Sequence, residues 1–246
     1  MNYKIVIPSY NRVSQIQAKT LNLLLKHNIP QSIIYIFVHT DSYNEYKNII
    51  GTKYQNINII ESKNNIKDSR NYINNYFNNN DKIVEIDDDI ENLINLNLDK
   101  PLENLNEFIE ESFNMCGNGL WGVSAINNKF FSSMKDKFGL QSIVATFCGY
   151  TVDKEIKLTL DVMEDYERAI KYHLKNKLIF KRSWVGIKTK YWTNKGGIQT
   201  CFNFEERKII QNNCSDILAT SYPHLVYQRT RKNGLKDIRF KKNINI

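Results

Sequence analysis

The sequence predicts an α/β fold: a mostly parallel central sheet flanked by helices, with an α+β extension in the C-terminal half. Three observations carry this expectation. Short β-branched runs recur along the first third of the chain, amphipathic stretches of helical period separate them, and polar loops of distinctive chemistry follow the runs directly. Lys4-Ile5-Val6-Ile7 is the first run, stopped by Pro8, and Gln15 to Lys26 then carries Ile16, Leu21, Leu24 and Leu25 at near-helical spacing. Ile33 to Val38 is a strand of the buried type, and Ser42-Tyr43-Asn44-Glu45 has the Ser-x-x-Glu form of a helix capping box. Asn56 to Ile60 gives a third strand and Lys67 to Phe77 a third helix. Lys82-Ile83-Val84-Glu85-Ile86 is a fourth strand that ends in Asp87-Asp88-Asp89. Strands separated by helices imply right-handed crossovers and parallel pairing. Further on, a helix is expected from Leu105 to Met115, strands over Trp121 to Ala125 and Ile143 to Val152, a helix from Asp165 to Lys175, and a loop at Gly196-Gly197.

With 246 residues, 41% hydrophobic and 24% charged, the chain suits one globular domain, 1–246, and its low glycine and proline content excludes collagen-like and disordered classes. No apolar run approaches the ~20 residues of a membrane span. The N-terminus enters a strand without a signal-peptide pattern, so a cytoplasmic protein without membrane association is expected. Cys116, Cys148, Cys201 and Cys214 form no C-x-x-C pair, and His27, His39, His173 and His224 show no ligand spacing. The net charge of +8 is unevenly spread. Residues 81–111 carry −9, which leaves +17 elsewhere. Such a surplus suits a polyanionic partner such as nucleic acid, and it also suits an ordinary solvated surface. The basic run from Arg229 to Lys242 reads as a phosphate-tracking arm or as a frayed tail.

In sheets of this kind ligands bind beyond the carboxyl ends of the strands, which directs attention to Pro8-Ser9-Tyr10-Asn11-Arg12, His39-Thr40-Asp41 and Asp87-Asp88-Asp89. Alternation in an extended segment sends Asp87 and Asp89 to one side and Asp88 to the other. Two carboxylates on one side are hard oxygen ligands for Mg²⁺ or Mn²⁺ that leave positions open for substrate phosphates; the other reading is an acidic turn at a strand end. Neither a P-loop nor a G-x-G-x-x-G follows the first strand. The loop in that place offers Tyr10 to stack on a base, Arg12 to pair with phosphate, and Ser9 or Asn11 to bond a ribose. Glu164-Asp165, opening a helix, offers a general base, with Asp165 preferred, although acids in a first helical turn are also favoured by the macrodipole alone.

Ile5-Val6-Ile7-Pro8-Ser9-Tyr10-Asn11-Arg12, then Ser69-Arg70-Asn71, then Ile83 to Asp89 with its D-x-D, resembles the nucleotide-sugar-binding half of a GT-A glycosyltransferase. Met163 to Glu167 and Lys195-Gly196-Gly197-Ile198 extend the match. Within that fold the arrangement is similar to the group associated with TET/JBP oxygenases in phages and large DNA viruses, which glucosylates hydroxymethylated pyrimidines in DNA. The resemblance implies a Rossmann-like GT-A domain, with residues 1–100 binding the nucleotide-sugar and 101–246 the acceptor. Pro8 to Arg12 and Asp41 would line the nucleotide pocket, and Arg70 would lie near the diphosphate or ribose. Asp87 and Asp88 would serve the donor, Gly196 and Gly197 a loop over it, and Asp87, Asp89 and His224 the metal. It implies a Mn²⁺ or Mg²⁺ cofactor, a UDP-sugar donor with glucose favoured, an inverting transfer, and a location in the host cytoplasm or nucleus if the protein is viral. Three other readings are open: the same chemistry on a glycan or protein acceptor, a nucleotidyltransferase that uses the same carboxylates, and a non-catalytic DNA-binding module.

Overall fold

The computed structural model describes residues 1–63, 65–189 and 204–241. Gly196 and Gly197 lie outside the described residues. Strands β1 (Lys4–Ser9), β2 (Ile34–His39), β3 (Asn58–Ser62) and β4 (Lys82–Ile86) form the parallel half of the sheet in the order β3-β2-β1-β4. All four are strands of the expected kind. Pro8 does not stop β1. The ladder to β4 ends at Val6, which leaves room on that side for a residue without an N–H.

The helical segment between β1 and β2 runs through α1 (Val13–Ile16), a π-helical stretch (Gln17–Leu21) and α2 (Asn22–Lys26). Helix α3 (Tyr43–Tyr46) follows β2, and α4 (Ile66–Tyr76) follows β3, capped by Asn65, whose side chain accepts from the Asp68 N–H. The capping box suggested at Ser42 is not made: the Ser42 hydroxyl donates to Asn11 Oδ1 at 2.5 Å instead of closing onto its own helix.

Beyond β4 come β5 (Asn92–Asn95), β6 (Lys100–Pro101), α5 (Leu105–Cys116), β7 (Leu120–Ser124), β8 (Asp136–Phe138), β9 (Phe147–Thr151), α6 (Glu164–Leu174) and β10 (Ile179–Lys188). They continue the same sheet in the order β4-β9-β7-β10-β5-β6, with β8 on β10. Strand β9 runs antiparallel to both β4 and β7, while β10 is parallel to β7, so β1, β2, β3, β4, β7 and β10 all point one way. The strand expected over Ile143 to Val152 is shorter at its start. Its partner β4 ends at Ile86, after which a single bond from Asp87 N–H to the Thr146 carbonyl continues the pairing. Helix α7 (Phe204–Ser221) and the hairpin β11 (Val226–Thr230) with β12 (Lys236–Phe240) close the described chain. The basic run read as an arm or tail is therefore largely a hairpin.

Each face of the sheet carries a core. One joins Ile5, Ile7, Ile36 and Ile86 to Leu21, Leu24, Tyr46 and Phe113, with Trp121 fully buried edge-on to Phe108, Phe113 and Phe147. The other joins Val6, Phe37 and Ile83 to Ile73, Ile170, Leu218, Val226 and Ile238. Gly149 lies opposite Trp121 across the strands, and a Cβ there would meet the indole at 2.3 Å. Among the described residues no helix is long and apolar enough to cross a membrane.

Candidate active site

Because β2, β1 and β4 are neighbours, the three loops picked out from the sequence meet at one end of the sheet. Ser9, the last residue of β1, donates its hydroxyl to Asp88 Oδ2 at 2.6 Å and lies 2.6 Å from the Tyr46 hydroxyl. Arg12 Nη1 donates to Asp88 Oδ1 at 2.8 Å and lies 3.5 Å from Asp89 Oδ2. Both oxygens of Asp88 are thus engaged, and the residue is 4% exposed. Burial pushes its carboxyl up while Arg12 and Ser9 pull it down, and the net direction is upward.

The acidic turn is pinned from two sides. Thr20 Oγ1 donates to the Asp87 carbonyl at 2.7 Å and accepts from the Ile90 N–H, and Thr189 Oγ1 donates to the Asp89 carbonyl at 3.0 Å. Held this way, the turn presents the partly exposed carboxylates of Asp87 and Asp89. Burial pushes Asp87 up to about 7; Arg70 opposes that rise, and Asp89, Asp88 and Glu85 add to it. No donor among the described residues hydrogen-bonds the Asp87 carboxylate. Closely spaced hard-oxygen ligands fit a divalent cation. Among the described residues no three His, Cys, Asp or Glu side chains gather as a metal cluster. The exposed His224, just before β11, is therefore not brought to Asp87 and Asp89.

Around the loops after β1 and β2, the rings of Tyr10 and His39 lie 4.4 Å apart. His39 Nδ1 accepts from the Asp41 N–H at 3.1 Å, and the Asp41 side chain is 71% exposed. Asn11 takes the left-handed backbone (φ 53°), which a short amide side chain tolerates. Pro8 is half-buried on the strand itself. His39, Thr20 and Tyr46 were not singled out as site residues from the sequence. His39 was signalled only by its place at the end of β2.

Within β4 itself, Glu85 is fully buried and pairs with two arginines: Arg168 Nη1 donates to its Oε2 at 2.9 Å, and Arg70 Nε lies 2.7 Å from its Oε1 as an ion pair. Arg70 Nη1 reaches Glu164 as well. Despite burial, the two arginines hold Glu85 below the usual carboxylate range. The structure therefore places Arg70 in an ion web, 6% exposed. The signal for this web was a lone acid inside an otherwise apolar strand. Asp165, half-buried in the first turn of α6, is pushed up to about 7 by burial and by Glu164, against Arg70 and Arg168. Lys181 on β10 faces Asp165 electrostatically, and burial lowers its ammonium to about 8. Met163, just before α6, has the left-handed φ of 63°, a conformation uncommon for such a side chain.

No family model matches the chain, and no curated protein matches it in sequence. Solved structures do match. Residues 1–349 of S. aureus TarS superpose with a TM-score of 0.51 at 12% identity over 89% of this chain and 66% of that one. The mannosyltransferase PcManGT from Pyrobaculum calidifontis, in complex with GDP-Man and Mn²⁺, gives a TM-score of 0.54 at 10% identity over 91% and 70%. The chain thus spans about two thirds of the length of each. At these identities the likeness is one of architecture, and the architecture is the GT-A glycosyltransferase fold.

Proposed function

We propose that the protein is a metal-dependent glycosyltransferase that moves a sugar, with glucose favoured, from a UDP-sugar to a hydroxyl acceptor. The observation that carries this is the pinned turn at the end of β4, which holds the partly exposed Asp87 and Asp89 beside the loops after β1 and β2, with the Asp87 carboxyl pushed up by burial and by its acidic neighbours. Mn²⁺ or Mg²⁺ held by these two carboxylates would stabilise the charge of the departing diphosphate. Arg12 is braced by Asp88 at the same end of the sheet, and the Tyr10 and His39 rings offer a flat face to a nucleotide base. The Asp165 carboxylate takes the proton of the attacking hydroxyl, its basicity raised by burial and by Glu164. Direct attack on the sugar carbon gives inversion.

The favoured acceptor is a hydroxymethylated pyrimidine in DNA, a reading supported by the hairpin. The β11–β12 hairpin turns Val226 and Ile238 inward and leaves Tyr227, Arg229, Arg239 and Lys241 exposed. Phe240 packs its ring 5.6 Å from that of Tyr166, the neighbour of Asp165. A basic and aromatic surface beside the general base suits a phosphodiester chain that presents a base.

The test is release of UDP from a panel of UDP-sugars with Mn²⁺, Mg²⁺ or EDTA, with and without hydroxymethylcytosine or hydroxymethyluracil DNA. Metal-dependent release stimulated by the modified DNA is expected. Release indifferent to DNA moves the acceptor to a glycan or protein. Inertness toward every nucleotide-sugar refutes sugar transfer and puts nucleotidyl transfer first.

A further inference from the structure

We propose that Arg70 is a positioning residue that fixes α6 against the acidic turn, and that it does not contact the donor's diphosphate or ribose. The proposal rests on the sugar-transfer reading, in which Asp87 and Asp165 work on the same reaction. Glu85 on β4 precedes Asp87 by two residues, and the bond from the Asp87 N–H to the Thr146 carbonyl carries the pairing one residue past the strand, so by alternation the two side chains leave on the same face. Arg70, from α4, spans the gap between elements: its Nε lies 2.7 Å from Glu85 on β4 and its Nη1 bonds Glu164 on α6. Arg168 joins Glu85 at 2.9 Å from one turn further along α6. Glu164 and Arg168 are related as i and i+4 and so share one stripe of the helix. Two anchors on one stripe fix the rotation of α6 as well as its distance from β4. Asp165 lies about 100° around the helix from Glu164, so its aim follows from that rotation.

The charges of the web also argue against a donor contact. Two arginines face two glutamates, and every member is less than a tenth exposed, so each arginine already has a buried carboxylate as its counter-charge. The Arg70 guanidinium faces Glu85 through Nε and bonds Glu164 through Nη1. A planar fork that holds two carboxylates on different elements is a task lysine cannot repeat, because a single ammonium cannot keep both directions.

The test measures Mn²⁺-dependent nucleotide release with water as acceptor, using whichever of UDP-glucose, UDP-N-acetylglucosamine and GDP-mannose turns over fastest. Calorimetric binding of the corresponding nucleoside diphosphate with Mn²⁺ accompanies it. Arg70→Lys is expected to lower kcat about 100-fold while KM and Kd change by less than about 3-fold, the scale of rate loss from a misplacement of an ångström. Glu164→Gln, which still accepts a hydrogen bond from Arg70, is expected to recover at least about tenfold of the kcat lost in Glu164→Ala; an amide could not do so if Glu164 itself moved the proton. A rise in KM and Kd of about tenfold or more in Arg70→Lys with kcat preserved overturns the proposal, as does wild-type behaviour in both constants. If Arg70→Lys does not fold, the Glu164 pair decides alone, and equal losses in Gln and Ala overturn it. Wild-type protein inert toward all three donors refutes the sugar-transfer reading, and the proposal falls with it; that result is visible before any variant is made.

Discussion

Lowering the pH should switch the protein off through one carboxylate, Asp165. With its pKa near 7, about half of the Asp165 side chains are ionised at pH 7, about a tenth at pH 6 and about nine tenths at pH 8. Only the ionised form accepts a proton, so kcat/KM should fall roughly tenfold for each unit below 7 and level off above 8. Asp87 also lies near 7 and could mimic this limb. Metal binding competes with its proton, so saturating Mn²⁺ moves the Asp87 contribution to lower pH and leaves that of Asp165 in place. The assay is nucleotide release from pH 5.5 to 8.5 at two Mn²⁺ concentrations, for wild type and Asp165→Asn. The variant should lose about 100-fold or more in kcat, and its residual rate should no longer carry the limb. A flat wild-type profile at saturating Mn²⁺, or near-normal turnover by Asp165→Asn, would refute the assignment.

Asp87→Asn and Asp89→Asn should each reduce metal-dependent release by about 100-fold or more without lowering Tm, since each removes a carboxylate from a crowded anionic turn; thermal melts and EDTA controls check both halves of the statement. Gly149→Ala should destabilise the fold by about 1–3 kcal/mol, because the new methyl meets the buried Trp121 ring, and calorimetry should show Tm lower by several degrees. Changing Arg229, Arg239 and Lys241 together to serine should flatten the logarithmic salt dependence of DNA binding by about 2–3 while leaving donor hydrolysis unchanged, as fluorescence anisotropy would report. Against the push of burial, Lys175 and Lys177 hold Asp153 down at about 2. Its stabilising contribution is therefore complete above the usual 3.8 and is lost as the pH falls from there toward 2. Asp153→Asn should melt earlier than wild type at pH 7, with the difference closing at pH 2.

The first four strands were legible because a buried parallel strand needs only a short β-branched run, and each helix between them showed its period. Strand β10 was not. Its core position Arg182 looks like a surface residue until it is seen between the rings of Phe108 and Trp184, at 4.6 and 4.8 Å, and 3.1 Å from Glu111. The hairpin could have been found: Asn233-Gly234 separates Val226–Thr230 from Lys236–Phe240, and Gly234 takes a left-handed φ of 78°. At the site, the aspartate turn and the tyrosine-arginine loop were visible as residue types. Which of them touch was not, since the contact of Arg12 with Asp88 joins residues 76 apart. Glu85 announced that it needed a partner without naming one; that the partners are Arg70 and Arg168, from helices on either side in sequence, is a property of the assembled sheet.

The strand order interlocks the chain. Residues before 102 supply β3, β2, β1 and β4 at one edge and β5 and β6 at the other, with β9, β7 and β10 seated between them. Strand β5 starts three residues after Asp89, and among the described residues it pairs, besides β6, with Val185 to Lys188 of β10. The downstream support of the acidic turn is therefore unavailable until roughly ninety more residues have left the ribosome. A fragment ending near residue 100 would expose the free edge of β4 and leave β5 unpaired, an invitation to association between copies. The N-terminal and C-terminal portions of this sheet cannot be exchanged as cassettes, because each supplies strands that complete the other.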